Sequence, residues 1–208
     1  MVIAYPCDTG VRLPEANTRR SKAPGAFADL LERRRSIRKL RDGPLPPGAI
    51  GRIATAASLV PSAFNASSWH VVIVSERRDA FWEVVEIAFR AELSGDRLDR
   101  YLARLDGFRS GTGAVLVFED RAGVESLTDS YQLPEETAQS YGQQAIGMVQ
   151  LALWLAIVDE GLATSLQHWE ALIEEPVTQF LDLPAGRFQL AATMPIGYPD
   201  EPPREVER

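Results

Sequence analysis

The sequence is poor in the residues that most often carry metal-binding or disulfide chemistry. Cys7 is the single cysteine among 208 residues, and His70 and His168 are the only histidines. One cysteine allows no disulfide within the chain and favours a reducing compartment, so a cytoplasmic location is expected. Two histidines and one cysteine leave little material for zinc, and no calcium-loop pattern occurs. We therefore expect no metal site.

Common catalytic motifs are absent as well. The sequence has neither the Gly-x-Ser-x-Gly elbow of many hydrolases nor the lysine-containing phosphate loop of nucleotide-binding proteins. Gly111-Thr-Gly113 is a weak glycine motif that precedes a predicted strand, whereas a dinucleotide-binding loop follows a strand and opens a helix. If the protein is an enzyme, we expect its reactive group to come from a bound cofactor.

Signals for secretion and for a second domain are also missing. Pro6 and Asp8 interrupt the N-terminus before an apolar core could form, so no signal peptide is predicted. Residues 1–25 contain scattered proline and polar residues and are predicted to form a loosely ordered arm. No repeat or linker divides the remainder, and residues 26–208 are predicted to form a single domain.

The net charge of −7 disfavours nucleic acid or an anionic membrane as the main partner. The charge is unevenly distributed, because residues 1–52 carry +6 and the remaining residues carry −13. A locally positive segment on an acidic protein suits the capture of a small anion better than that of a long polyanion.

Apolar periodicity predicts an α+β domain. Five segments show helical spacing or helix-start signals: Phe27–Leu31, Pro47–Val60, Phe81–Ala88, Leu98–Leu105 and Pro176–Phe180. Four apolar segments are predicted to be strands: Trp69–Ser75, Ala114–Phe118, Ala163–Leu166 and Phe188–Met194. Residues 121–139 are mixed and polar, and are predicted to form a short helix with loops.

The longest apolar helix is predicted to begin at Ser140, with Gln143 completing a capping box, and to end before Gly161. From Ile146 to Val158 only Gln150 is strongly polar. The run is shorter than the roughly 20 residues that span a bilayer. A helix that is apolar on all sides must be buried all round, and in a domain of this size we expect it at a subunit interface.

The segment Leu31–Leu40 contains the densest cluster of positive charge in the sequence. Arg34, Arg35 and Arg38 offer planar guanidinium groups, and Ser36 adds a hydroxyl between them. Arginine is well suited to binding phosphate through two parallel hydrogen bonds. The alternative is that these arginines form an ordinary solvated surface.

Six segments occur in a fixed order along the chain: Arg34-Arg-Ser-Ile-Arg38, Pro61-Ser-Ala-Phe-Asn65 with Trp69-His70, Gly111–Asp120, Gly147–Trp154, Glu160–His168 and Met194-Pro-Ile-Gly197. Together they resemble the FMN-dependent nitroreductase family. They are most similar to the subgroup of fungal fatty-acid-repression-type nitroreductases and their bacterial relatives. The resemblance extends from about Phe27 to the C-terminus.

The resemblance implies an α+β fold in which a central, mainly antiparallel sheet is flanked by helices. It also implies a homodimer with a long buried helix at the interface and two FMN sites there. The implied FMN-contacting residues are Arg34, Arg35, Ser36 and Arg38 at the phosphate, ribityl chain and pyrimidine; Asn65 at the ring or ribityl; Pro61, Ser62 and Ala63 covering the ring across the interface; and Gln167 and His168 at the ring edge.

Two positions depart from the family pattern. Ser67 stands where relatives commonly have a longer glutamine, and only Arg204 or Arg208 could replace the usual C-terminal basic pair. Three implied residues also have simpler interpretations from the sequence alone. Asn65 could be a turn residue, Ser62 a helix cap, and His168 a partly buried histidine with its own partner.

The resemblance implies an FMN-dependent NAD(P)H oxidoreductase that reduces nitroaromatic or related small aromatic acceptors by a ping-pong mechanism. Arg38 would stabilise the anionic reduced flavin by placing positive charge near N1 and O2. The main alternative is a flavin-binding regulatory or stress-response protein with little turnover. Nucleic-acid binding through the arginine run is disfavoured by the acidic remainder of the chain.

Overall fold

The computed structural model describes residues 25–205. Cys7, Arg208 and nearly all of the predicted N-terminal arm lie outside these residues. The described chain contains the helices α1 Ala26–Arg33, α2 Ala49–Ser58, α3 Arg78–Glu92, α4 Gly95–Arg109, α5 Arg121–Tyr131, α6 Glu135–Asp159 and α7 Glu170–Phe180. Its strands are β1 Leu40–Arg41, β2 Trp69–Val74, β3 Gly113–Asp120, β4 Phe188–Ile196 and β5 Tyr198–Pro199.

Three strands form the central sheet, in the order β2-β3-β4 with antiparallel pairing throughout. The middle strand, β3, is buried along its length except at Asp120. The two short strands β1 and β5 form a separate antiparallel pair, with Leu40 opposite Pro199. The predicted strands at 69–75, 114–118 and 188–194 are confirmed to within two residues at each end.

Hydrophobic cores cover both faces of this sheet. Side chains alternate along β3, so Leu116 and Phe118 pack with α3, α4 and α7, whereas Val115 and Val117 pack with α2 and α6. Phe81 and Trp82 dominate the first core. The expected α+β architecture, an antiparallel sheet between helices, is confirmed.

The longest helix, α6, begins earlier than predicted. It starts at Glu135 after Pro134, and Ser140 lies inside it, so the predicted capping box is wrong. Glu135 and Glu136 in the first turn complement the helix dipole, which explains the earlier start. The predicted end is confirmed, because α6 stops at Asp159 and Gly161 follows with φ +75°.

With 25 residues, α6 is longer than its apolar run, and by length and composition alone it could cross a membrane. Half of its most apolar window is buried against the rest of the chain, the pattern of a core helix. Val149, Leu153 and Ile157 form the buried face, but Met148 and Leu151 are 40% and 41% exposed. Within one chain the helix is therefore not buried all round, and its place at a subunit interface remains a prediction.

Two other expectations differ from the structure. Residues 163–167 form isolated bridges instead of the predicted strand, because Thr164 pairs with Ser36 whereas Ala163 and Gln167 pair with Gly197 and Thr193 at the end of β4. Helix α2 begins at Ala49 after Gly48, which has φ +75°, and not at Pro47. Its buried face is Ala49, Ile53 and Ala57, while the predicted face members Ile50 and Ala54 are exposed.

An ion pair joins the segment after β1 to the start of α3 and should make stability depend on pH. The Arg78 guanidinium donates to Asp42 Oδ1 and Oδ2 over 2.7 and 2.6 Å. These bonds lower the pKa of the Asp42 carboxyl from 3.8 to about 2. The ionised carboxylate therefore stabilises the folded state above about pH 4, and this contribution is lost as the pH falls through the folded-state pKa.

We expect Asp42→Asn to lower the urea midpoint of unfolding at neutral pH and to have a much smaller effect near the folded-state pKa of about 2. Asp79→Asn is the matched control, because Asp79 lies 3.6 Å from the same arginine but is 92% exposed. It should change the midpoint little at either pH. If Asp42→Asn lowered the midpoint equally at both pH values, this ion pair would not be the cause of the pH dependence of stability.

Candidate functional site

The basic segment, Leu31–Leu40, continues from the end of helix α1 and contacts residues in the C-terminal part of the chain. Helix α1 ends at Arg33, and Arg34 has an extended conformation. Ser36 then forms a parallel bridge with Thr164, and the Ile37 backbone N–H donates to the Thr164 carbonyl over 3.1 Å. The bridge places the predicted residues at 34–36 beside the segment that carries Gln167 and His168.

Arg34 packs against an aromatic ring that the sequence analysis does not assign to the site. The Cζ atom of Arg34 lies 4.5 Å from the ring centroid of Trp154 on α6. This cation–π contact holds the guanidinium group without neutralising its charge. The nearly buried Trp154 resembles an ordinary core residue in the sequence, and no spacing signal relates it to Arg34, 120 residues earlier.

Residues of the C-terminal segment form hydrogen bonds with the basic segment. An Arg35 Nη2–H donates to the backbone carbonyl of Arg204. The backbone N–H groups of Arg38 and Lys39 both donate to Glu201 Oε1, over 2.7 and 3.2 Å. Arg38 and Arg204 also line one cavity of about 720 Å³. The structure thus brings Arg204 to the basic segment, although its contact with Arg35 is through the main chain.

Three arginines of this segment are half-buried and yet have no carboxylate partner, whereas the other arginines without such a partner among residues 25–205 are exposed. Six arginines form ion pairs with carboxylates: Arg33, Arg52, Arg78, Arg90, Arg109 and Arg187. Within residues 25–205, the half-buried side chains of Arg34, Arg35 and Arg38 form no such pair. Their positive charge is therefore available to an anion, as the donor set of a phosphate site requires.

The loop between α2 and β2 has a strained backbone. Phe64, Asn65 and Ser67 have φ values of 53°, 56° and 47°, in the left-handed region. The Ser62 hydroxyl accepts a hydrogen bond from the Ser67 backbone N–H over 2.9 Å, so Ser62 closes this loop instead of capping a helix. Asn65 tolerates the left-handed conformation, which agrees with its simpler interpretation as a turn residue. Strain of this kind is common at ligand sites.

Five residues predicted to contact the cofactor lie on this loop: Ser62 and Ala63 are half-buried, and Pro61, Asn65 and Ser67 are exposed. The exposed Phe64 ring stacks on Tyr131 of α5 with centroids 4.1 Å apart, which fixes the loop against that helix. The expectation that part of this loop covers a cofactor bound to another subunit stays a prediction.

The two residues predicted at the ring edge differ in accessibility. Gln167 is 4% exposed, and its Nε2–H donates to Ser165 Oγ over 2.9 Å. The side chain of His168 is 62% exposed, with Nδ1 3.0 Å from Glu170 Oε1. His168 is therefore not the partly buried histidine of the simpler interpretation. Its side chain, and not that of Gln167, is accessible to a ligand in this structure.

Ion pairs with lowered carboxyl pKa values lie in the scaffold around the site. Hydrogen bonds from Arg187 lower the pKa of the Asp120 carboxyl. This ion pair connects the end of β3 with the start of β4. Hydrogen bonds from Arg52 lower the pKa of Glu160 and tie α2 to the end of α6. Both carboxylates are thereby kept ionised at neutral pH, where they hold elements together.

Comparison with known proteins shows similarity over most of the chain. The chain is 29% identical to 5,6-dimethylbenzimidazole synthase of Rhodospirillum rubrum over 188 residues, covering 86% of this chain and 85% of that protein. It is 24% identical to the nitroreductase FRM2 of Saccharomyces cerevisiae, covering 85% and 92% of the two chains. The yeast relative agrees with the predicted resemblance to fungal nitroreductases.

Solved structures share the fold. Nitroreductase CinD from Lactococcus lactis, in complex with chloramphenicol, superposes with a TM-score of 0.78 at 28% identity, covering 88% and 94% of the two chains. A protein from Desulfovibrio desulfuricans in complex with FMN superposes with a TM-score of 0.68 at 19% identity, covering 89% and 93%. The sequence model of the Nitroreductase family matches residues 31–198, from the basic segment to β5. The chain belongs to the nitroreductase family.

Proposed function

We propose that this oxidoreductase is an FMN-dependent enzyme that oxidises NAD(P)H and reduces nitroaromatic or related aromatic acceptors. The observation that carries the proposal is the group of three half-buried arginines, Arg34, Arg35 and Arg38, without carboxylate partners among residues 25–205. Family membership makes the phosphate of FMN the anion that best fits these donors.

The residues present fit FMN chemically. Arg34 and Arg35 would hold the phosphate, with Trp154 fixing the Arg34 guanidinium. Ser36 offers a hydroxyl on the same segment, and residues 164–168 lie beside it through the Ser36–Thr164 bridge. The solved relative from D. desulfuricans contains FMN, which supports the same cofactor here.

Bound FMN would supply the chemistry, accepting hydride from NAD(P)H and passing two electrons to the acceptor. Arg38 would contribute positive charge toward the pyrimidine side of the flavin, where negative charge would develop on reduction. NAD(P)H and the acceptor would use the same cleft in turn, and His168 is the exposed side chain at its predicted edge. No dedicated catalytic acid is required, because solvent supplies protons to an open cleft.

A homodimer is part of the proposal. Apolar side chains on α2 and α6, and in the turn after α2, remain exposed in the single chain: Ile50, Leu59, Met148 and Leu151. Pairing two copies through this surface would cover these side chains. It would also leave the strained 61–67 loop free to contribute to the second subunit's site.

Arg34→Ala should weaken FMN binding about ten- to hundredfold, because a charge-assisted contact contributes roughly 1.5–3 kcal/mol. Fluorescence titration of flavin-free protein with FMN measures this change. Arg33→Ala is the matched control, since Arg33 is adjacent but paired with Asp29 over 2.7 Å. The control should bind FMN like the wild type. Equal affinities in wild type and Arg34→Ala would overturn the phosphate assignment.

Turnover distinguishes the proposed enzyme from a regulatory flavoprotein. The visible spectrum before and after anaerobic addition of NADH or NADPH shows whether the bound flavin is reduced. A panel of nitroaromatics and quinones then shows whether it is reoxidised catalytically. A flavin that is bound but not reduced by either nicotinamide would favour the regulatory alternative.

The similarity to 5,6-dimethylbenzimidazole synthase supports a second candidate function. The product named for that relative contains the dimethylbenzene unit that also forms one end of the flavin ring. Incubation of the protein with FMN and NADH in air, followed by mass spectrometry for 5,6-dimethylbenzimidazole, tests this candidate. Formation of that product would replace acceptor reduction as the main function.

A further inference from the structure

The C-terminal segment after β5 runs antiparallel to the basic segment. Strand β5 pairs with β1, and the Asp200 backbone N–H donates to the Lys39 carbonyl over 2.9 Å, which extends this pairing by one residue. Pro202 and Pro203 follow, and they have no N–H group with which to continue the hydrogen-bond ladder. Two backbone N–H groups of the basic segment lie at this end of the ladder.

Glu201 accepts both of these N–H groups with one carboxylate oxygen. Its Oε1 atom lies 2.7 Å from the Arg38 backbone nitrogen and 3.2 Å from that of Lys39. Hydrogen bonds to an ionised carboxylate are roughly twice as strong as those between neutral groups. The half-buried Glu201 side chain thus holds the main chain of two successive residues, and one of them, Arg38, is predicted to contact the flavin.

Glu201 forms no ion pair, although several cationic side chains share a cavity with it. Arg38, Lys39, Arg104 and Arg204 line the same cavity of about 720 Å³. Among residues 25–205, no arginine, lysine or histidine forms an ion pair with the Glu201 carboxylate. The carboxylate therefore fixes the backbone at Arg38 without pairing with its guanidinium group, which stays available to an anion.

From this arrangement we infer that Glu201 is a positioning residue for Arg38 in the FMN site. The inference rests on the proposed function, in which the Arg38 guanidinium places positive charge beside the flavin pyrimidine. Because Glu201 holds the main chain, Arg38 loses less conformational freedom when FMN binds, and its charge stays where reduction makes the flavin negative. Glu201 therefore raises both the affinity for FMN and the reduction potential of the flavin.

The reduction potential separates positioning from simple electrostatics, because the two predict opposite signs. Glu201→Ala removes both hydrogen bonds, so positioning predicts a lower potential in the variant. If Glu201 acted only as a nearby negative charge, its removal would raise the potential, because the reduced flavin is the more negative form. A residue that only stabilised the fold would change the unfolding midpoint and not the potential. Spectroelectrochemical titration of the FMN-loaded protein measures the potential.

Two matched variants separate the hydrogen bonds from the charge. In Glu201→Gln the amide oxygen can accept the same two hydrogen bonds, so the potential should not fall and FMN should bind nearly as in the wild type. Asp200→Asn removes a charge from the adjacent exposed residue, whose side chain has no hydrogen bond or ion pair within the described chain, and should change both quantities little.

Glu201→Ala, in contrast, should bind FMN about tenfold more weakly, because the cost of ordering Arg38 is then met on binding. Fluorescence titration of flavin-free protein measures this change, and urea unfolding confirms that the variant is folded. An unchanged or raised potential in Glu201→Ala, or an equal fall in Glu201→Gln, would overturn the inference.

A double-mutant cycle tests whether Glu201 acts through Arg38. Arg38→Met alone should lower the potential, since the positive charge favours the reduced flavin. Adding Glu201→Ala should cause no further fall, because no charge remains to be positioned. A further fall as large as that of Glu201→Ala alone would contradict the action through Arg38, and the inference would be wrong.

Amide hydrogen exchange and flavin content distinguish the inference from the proposed function. In flavin-free protein, the Arg38 and Lys39 amides should exchange faster in Glu201→Ala than in the wild type or Glu201→Gln. A wild-type protein that binds FMN, with amides and potential that Glu201→Ala does not affect, contradicts only the inference. A wild-type protein that shows the expected exchange but binds no FMN contradicts the proposed function, and with it the role assigned to Glu201.

Discussion

Mixing two homodimers with damaged sites, Arg34→Ala and Ser62→Trp, should restore about a quarter of the wild-type FMN sites. In the proposed dimer, each site takes Arg34 from one subunit and Ser62 from the other. Every heterodimer therefore has one doubly damaged site and one intact site, and random pairing makes about half of the dimers heterodimers. The Ser62→Trp change fills the loop that the Ser62–Ser67 hydrogen bond closes, and so blocks the predicted cover of the ring.

Native mass spectrometry should follow subunit exchange while FMN fluorescence and NADH oxidation report on site recovery. Each mutant mixed with itself is the control and should recover nothing. Neither change touches the exposed α6 side chains Met148 and Leu151, so dimerisation should persist. Complete exchange without any recovery would show that the site lies within one chain, and the composite-site proposal would be wrong.

Gly113→Ala should destabilise the protein by about 3 kcal/mol, the upper end of the usual cost of overpacking, since a clash with backbone cannot be relieved by a side-chain rotation. Gly113 begins β3 opposite Ile196. A Cβ atom at this position would lie 2.1 Å from the Val74 carbonyl oxygen and 3.2 Å from the Ser75 Cα atom. The added methyl group would separate β2 from β3 at the end of the sheet.

Gly51→Ala is the matched control, because the same change in α2 meets no atom within 4 Å. It should raise stability by roughly 0.5–1 kcal/mol, as alanine favours a helix over glycine. Urea unfolding followed by circular dichroism measures both changes. If Gly113→Ala were as stable as the wild type, the close contact between β2 and β3 would not exist in solution.

The elements that the sequence predicted well are those with simple local patterns. The β-branched run at 69–74 pairs as expected, and Gly161 ends α6 as a left-handed residue should. The start of α6 was mispredicted because Ser140 and Gln143 imitate a capping box, while Pro134 and the acidic first turn set the true start. Residues 163–167 are apolar enough for a strand, but Thr164 pairs with Ser36 while Ala163 and Gln167 pair with residues 193–197.

The candidate site was predictable only in part. The pair Asp29–Arg33 has i,i+4 spacing and could be predicted from the sequence, so Arg33 is distinguishable from Arg34 once the end of α1 is known. The contact of Arg34 with Trp154 and the bridge from Ser36 to Thr164 join residues more than 100 positions apart. No periodicity predicts such contacts.

The contact of Arg35 with Arg204 has a consequence for the order of events during synthesis. These residues are 169 positions apart, and Arg38 and Glu201 are 163 apart. At typical translation rates, the arginines are synthesised roughly 10 to 30 s before their C-terminal partners. A ligand of these arginines therefore meets the completed arrangement only after translation of the described chain, and it stabilises the finished protein rather than guiding the growing one.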